Sequence, residues 1–170
     1  RMHDKLMIMD GREAIVGGRN LSDIYFDERL WWLDLGVRVR GPAVDDLQMI
    51  FLKSWELTSF ISSPRRFLVP QERLLEGLRH FWRSGRYPNG RSPLQRYLGP
   101  EYFPPHEDRG AGVAVAVLYD NSLLRRRAAS TDLVVALVER AERRIDLMTP
   151  FPFFTADLTE ALLAAAARGV

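Results

Sequence analysis

The sequence predicts an α/β fold, a mixed β-sheet flanked by helices, and three observations carry that expectation. Residues 3–9 (HDKLMIM) and 13–18 (EAIVGG) are two short apolar-rich runs joined by Asp10-Gly11, a dipeptide that favours the tight turn of a hairpin. From Ala43 to about Phe60, Val44, Leu47, Ile50, Phe51, Trp55 and Leu57 recur at mostly helical spacing, as for a helix lying on a sheet. Beyond residue 110 strand-like and helix-like runs alternate, the order that builds layered α/β architectures.

A third strand is expected over 33–40 (LDLGVRVR), whose second half alternates apolar and polar residues, with Gly41-Pro42 ending it. Asp45 and Asp46 fall in the first turn of the helix that follows, where the helix dipole favours negative charge. Residues 62–110 change character, with seven of the ten prolines between Pro64 and Pro105. A short helix is expected over 71–83, and turn chemistry elsewhere marks an insertion or interdomain connection. Regular structure resumes with a strand over Val113–Leu118, a helix over Ser130–Arg143 with a Ser/Thr cap, a short strand over Ile145–Met148 and an Ala-rich helix over Thr155–Arg168. The expected organisation is therefore 1–61, 62–110 and 111–170.

At 170 residues and 46% hydrophobic, the chain can bury one domain-sized core. No apolar run approaches the length of a membrane span, and none reads as a secretory signal. The abrupt start at Arg1-Met2-His3 and the strand-like close at Val170 suggest a fragment of a longer protein. Without cysteine, disulfides and cysteine-zinc sites are excluded. Net charge is +2, and Lys5 and Lys53 are the only lysines, the other cations being arginine. Arginine suits phosphate because its planar fork donates two hydrogen bonds to one anion, although a GC-rich genome accounts for most of this bias.

The chemistry concentrates at the start of the chain. Residues two apart on a strand share a face, so His3 and Lys5 present an imidazole beside an ammonium. Histidine can attack phosphorus or protonate a leaving alkoxide, and lysine stabilises the non-bridging oxygens. Asn20 adds a neutral donor, and Gly17 and Gly18 let the backbone approach a phosphate. Singly, each residue has an ordinary structural explanation. Together, HxKxxxxD (His3, Lys5, Asp10) followed by GGxN (Gly17, Gly18, Asn20) fixes six positions within eighteen residues and marks a phosphodiesterase half-site.

These residues resemble the signature of the phospholipase D superfamily. Gly17-Gly-Arg-Asn-Leu-Ser-Asp-Ile-Tyr-Phe26, Asp34 with the strand through Val44, and the Phe51…Trp55 helix are similar to its bacterial cardiolipin synthase-like branch. Leu118-Tyr-Asp120-Asn and Arg144-Ile-Asp-Leu-Met-Thr-Pro150 resemble the opening of that family's second repeat. The resemblance covers most of the chain outside 62–110. It implies a phospholipase D-like α/β/α sandwich, of which 1–61 holds the C-terminal half of one repeat and 111–170 the N-terminal half of the next.

The resemblance further implies two half-sites at one cleft, one histidine attacking the phosphate ester and the other protonating the leaving alcohol. His3 then takes one of these two roles, the nucleophile being the favoured one, Lys5 and Asn20 hold the phosphate oxygens, and Asp34 orients the histidine. Asp10, at the hairpin turn, completes the motif in a more structural role. No metal or cofactor is required. The implied activity is phosphatidyl transfer through a phosphohistidine, with a phospholipid substrate and an alcohol acceptor at the bacterial cytoplasmic membrane. The alternatives are a hydrolase or nuclease of the same superfamily, or a degenerate lipid- or protein-binding member. Nucleic acid is the less favoured partner.

Two departures stand out. Neither His80 (HFWR) nor His106 (HEDR) has a lysine two residues on, so the second half-site is expected from beyond Val170 or from a homodimer, and the isolated fragment is expected to be inactive. Thr149-Pro-Phe-Pro-Phe-Phe154 also differs from the family's usual Thr-Pro-Tyr-Phe-x-Pro order. Among weaker signals, Trp31-Trp32 fit core or loop packing before a bilayer interface or acyl groove. The arginine-aromatic stretch from Arg65 to Arg96 is expected to be a solvated insert before a contact for lipid or nucleic acid phosphate. His106-Glu107-Asp108 are expected to be exposed loop residues.

Overall fold

The computed structural model of the chain describes residues 3–20, 34–62, 70–106, 112–120, 129–149 and 152–170. It divides into two compact units, Arg1–Val117 and Leu118–Val170.

In the first unit, β1 (Leu6–Met9), β2 (Glu13–Gly17) and β3 (Gly36–Arg40) form an antiparallel sheet in the order β1-β2-β3. Asp10 and Gly11 both take positive φ, 52° and 62°, as a two-residue hairpin turn with the right-handed strand twist requires. The register sets Leu6 opposite Val16 and Val16 opposite Val37, so one face carries Leu6, Ile8, Ala14, Val16 and Val39. That face packs on Val44 and Leu47 of α1 (Ala43–Ser62). Each such side chain leaving water contributes roughly 1.5–3 kcal/mol.

α1 has a second buried flank. Leu52 meets Phe81 of α2 (Gln71–Ser84) and Leu94 of a 3-10 turn (Pro93–Tyr97), with Tyr87, Tyr97, Tyr102 and Phe103 around them. The stretch 70–106 is therefore packed on α1, while its arginines 73, 79, 83, 86, 91 and 96 remain exposed. His106 corrects an expectation. Its side chain is 12% exposed, and its Nε2 lies 2.9 Å from Oδ1 of Asp45 in the first turn of α1.

The second unit is a helix pair. α3 (Ala129–Arg140) and α4 (Ala156–Ala167) bury Val138 against Ala161 and Ala165. Small side chains on α4 allow close approach, and Arg168 donates to the carbonyls of Val138 and Glu139 at 3.2 and 3.0 Å, closing the C-terminal end of α3. Thr155 caps α4 by accepting from the Leu158 N–H. α3 is capped from further away: Asp120 accepts from the N–H groups of Ala129 and Ser130 at 2.6 and 3.0 Å, and from the Ser130 hydroxyl.

The α/β class is as expected, but two strands are not. Val113–Leu118 and Ile145–Met148 are not strands, and the described sheet is wholly antiparallel. Alternating side chains define which faces a segment offers, whereas a strand exists only where a partner closes its hydrogen bonds.

Candidate active site

The strand expected from residue 3 begins only at Leu6; Lys5 immediately precedes β1, and its carbonyl accepts from Gly17 N–H at 3.3 Å. The alternation that turns Leu6 and Ile8 toward α1 turns Met7 the other way, onto a face where Met7 and Ile15 are 45% and 42% exposed, and His3 and Lys5 lie in the extension that leads into this strand. The two side chains meet. Lys5 Nζ lies 2.9 Å from Nδ1 and 3.1 Å from Nε2 of His3, donating to whichever ring nitrogen is unprotonated, and it donates to the His3 carbonyl at 2.7 Å. His3 is exposed and Lys5 half-buried. Among the described residues no carboxylate pairs with Lys5, so its charge is available to an incoming anion.

β2 ends beside this pair at Gly17, which faces Gly36 across the ladder. Gly18 follows, with the Asp34 carboxylate against it: a Cβ there would lie 2.8 Å from Oδ1. That oxygen accepts the Leu35 N–H at 2.8 Å. Asn20 is half-buried just beyond.

One end of the sheet thus gathers His3 and Lys5 ahead of β1, Gly17 and Gly18 at the end of β2 and Asp34 ahead of β3. The sheet separates Asp10 from them. Asp10 sits at the turn beyond the far end of β1, five residues on from Lys5, about 16 Å at the usual strand rise. Nor does a hydrogen bond link Asp34 to His3 among the described residues; the central strand lies between them.

Arg38 shares the open face with His3 and Lys5, but its Nε and Nη2 both donate to Glu13, at 2.9 and 2.6 Å, and Arg40 pairs with the other Glu13 oxygen. These hydrogen bonds from Arg38 and Arg40 hold the Glu13 carboxyl below its ordinary value of 4.5. The period-two register carried the signal for this face; the clasp of two guanidinium groups on one carboxylate did not show in the sequence. Trp31, Trp32 and residues 21–26 of the motif text, Arg65, Phe67, Glu107, Asp108, Asn121 and Pro150 lie outside the described residues. No helix among the described residues is long and apolar enough to cross a membrane.

An α/β unit with an exposed imidazole-ammonium pair at a strand end is equipped for anion chemistry, and the chain is similar to bacterial proteins named cardiolipin synthase. The cardiolipin synthase of Geobacillus sp. (strain WCH70) is 27% identical over 173 residues, covering all of this chain and 28% of that protein. The cardiolipin synthase of Geobacillus thermodenitrificans is 38% identical over 74 residues, 42% of this chain and 14% of its own. Cardiolipin synthase 2 of Bacillus cereus is 41% identical over 58 residues, 32% of this chain and 11% of its own. The chain therefore spans between 11% and 28% of the length of these relatives. No family model and no solved structure matches it.

Proposed function

We propose that this chain supplies one half of a catalytic site that moves a phosphatidyl group between alcohols, a reading supported by its likeness to proteins named cardiolipin synthase. The observation that carries the reading is the Lys5 ammonium set on the His3 imidazole at 2.9 and 3.1 Å, on an open sheet face. An anion drawn to that ammonium is brought onto a ring nitrogen, which is the positioning that phosphoryl transfer needs.

In this reading an unprotonated nitrogen of His3 attacks phosphorus. A P–N bond forms, the P–O bond to the first alcohol breaks, and the leaving alkoxide takes a proton from a histidine in a second half-site. The acceptor alcohol returns that proton as its oxygen displaces His3. Lys5 and Asn20 hold the non-bridging oxygens, Gly17 and Gly18 admit the phosphate to the backbone, and Asp34 braces the end of β2. The second half-site comes from another part of the complete protein or from a second copy. Residues 1–61 and 111–170 then belong to successive repeats with 62–110 between them, working at the bacterial cytoplasmic membrane surface. The reaction so written draws on no metal or cofactor.

The test is lipid product analysis of the complete protein with phosphatidylglycerol as donor, with and without added glycerol. Transfer products in the native protein and none from His3→Ala are expected. Full transfer by His3→Ala overturns the reading. Water as the sole acceptor reassigns the protein as a hydrolase, and phosphodiester cleavage of DNA in place of lipid reassigns it as a nuclease.

A further inference from the structure

A second candidate site lies in the first unit, in the stretch for which the sequence offers no motif. A turn from Tyr87 is closed by Tyr87 N–H donating to the Arg91 carbonyl at 2.8 Å and Gly90 N–H to the Tyr87 carbonyl at 2.9 Å. Asn89 Oδ1 accepts the Arg91 N–H at 3.1 Å. Stacking of Tyr87 on Phe81, ring centroids 4.7 Å apart, fastens the turn to α2. Between this turn and α1 is an open cavity of about 460 Å³ lined by Glu56, Tyr87, Arg91, Ser92 and Pro93, within the range of small-ligand sites.

Glu56 is the unusual member. Its side chain is 9% exposed, and a carboxylate so buried needs partners. One oxygen, Oε1, has them: the Arg96 guanidinium and the Tyr97 hydroxyl, the latter at 3.3 Å. Among the described residues Oε2 receives no hydrogen bond. Yet no fully buried polar side-chain atom lacks a partner, so Oε2 keeps its exposure, and the cavity is the space that Glu56 lines. Tyr87 reports the same proximity: its phenol is pushed up, first by burial and then by the Glu56 charge.

We propose that this cavity binds a small hydroxylated phosphate, of the polyol phosphate class. The charge balance selects the class. Arg96 already neutralises Glu56, so a cationic ligand would have to compete with a guanidinium in place. Arg91, with no carboxylate partner among the described residues, leaves the wall with net positive charge, and its fork suits a phosphate. Glu56 Oε2 accepts from a ligand hydroxyl, and the Tyr87 ring and Pro93 cover the carbon skeleton. This site is independent of His3 and Lys5 and stands whether or not they are catalytic.

The test is calorimetric titration of the complete protein carrying His3→Ala and Lys5→Ala, which strip the imidazole and the ammonium from the other site, with glycerol 3-phosphate, inorganic phosphate and glycerol. Glycerol 3-phosphate is expected to bind more tightly than either fragment. Arg91→Ala, at an exposed position, is expected to weaken it about tenfold or more, the usual worth of a charge-assisted hydrogen bond. Ser92→Ala serves as a second variant should Arg91→Ala fold poorly, and is expected to weaken binding less. Displacement by phosphatidylcholine vesicles doped with phosphatidylglycerol, and not by phosphatidylcholine alone, identifies a lipid headgroup as the source; lack of displacement identifies a free phosphate. No binding of glycerol 3-phosphate, equal binding of inorganic phosphate, or binding indifferent to both variants overturns the proposal.

Discussion

The Asp34 carboxylate lies where a side chain on Gly18 would have to be: a Cβ on Gly18 would stand 2.8 Å from Oδ1 and 3.2 Å from Oδ2. Gly18→Ala is therefore expected to push Asp34 aside and disturb the end of β2 next to Lys5. A displacement of that size costs about 10- to 100-fold in a positioned reaction. Transfer assays on the complete protein check the loss. Thermal melts of Gly18→Ala and of Gly18→Ala with Asp34→Ala check the cause, because the double variant removes the clash and is expected to recover the stability lost by the single one.

The other end of the hairpin is expected to respond in stability alone. Gly11 combines φ +62° with the Tyr102 carbonyl oxygen and Pro104 Cδ, the latter at 2.6 Å, against a Cβ placed on it. Gly11→Ala is expected to cost about 2–4 kcal/mol through strain and overpacking together, measured by denaturant unfolding. Asp10→Asn keeps a residue tolerant of positive φ at a position remote from His3, and is expected to retain most activity. Loss of activity in a stably folded Asp10→Asn protein contradicts this separation.

Glu13 links the sheet to pH. Its folded-state pKa is lowered by Arg38 and Arg40, so its contribution to stability is present above the ordinary value of 4.5 and fades as pH falls below that through the folded value. Glu13→Gln is expected to flatten this acid limb slightly. Because the clasp is on the surface, added salt is expected to shrink the difference. Melts from pH 6 down to about pH 3, at low and high salt, bracket that window.

Asp120 is expected to matter to the second unit as a cap. Asp120→Ala leaves the N–H groups of Ala129 and Ser130 without their acceptor and is expected to cost about 0.5–2 kcal/mol, with Asp120→Asn milder. Circular dichroism and thermal unfolding provide the readout.

These residues also show where sequence reasoning reaches. The hairpin and the helices over 43–62, 71–84 and 156–167 were legible because turn chemistry, apolar spacing and alanine content are local signals. The His3–Lys5 contact was legible because residues two apart in an extended segment meet without knowledge of the rest of the fold, although the strand expected from residue 3 starts only at Leu6. What was hidden depends on distant pairing. The cap expected from a neighbouring Ser or Thr comes from Asp120; Val113–Leu118 has strand-like side chains but no ladder; His106, in a loop-like context, reaches Asp45 sixty-one residues away. The meeting of Asp34 with Gly18 and the Glu56–Arg96–Tyr97 cluster likewise follow from packing that no short spacing encodes.

The most direct test of the central claim is to find the covalent adduct. The complete protein is mixed with phosphatidylglycerol, quenched during turnover under alkaline conditions that preserve phosphohistidine, digested and mapped by mass spectrometry. The expected result is a phosphatidyl or phosphoryl group on the imidazole of His3, missing from His3→Ala. Transfer that proceeds with the adduct on another side chain, or with no adduct and undiminished turnover in His3→Ala, contradicts the assignment of His3 as the nucleophile.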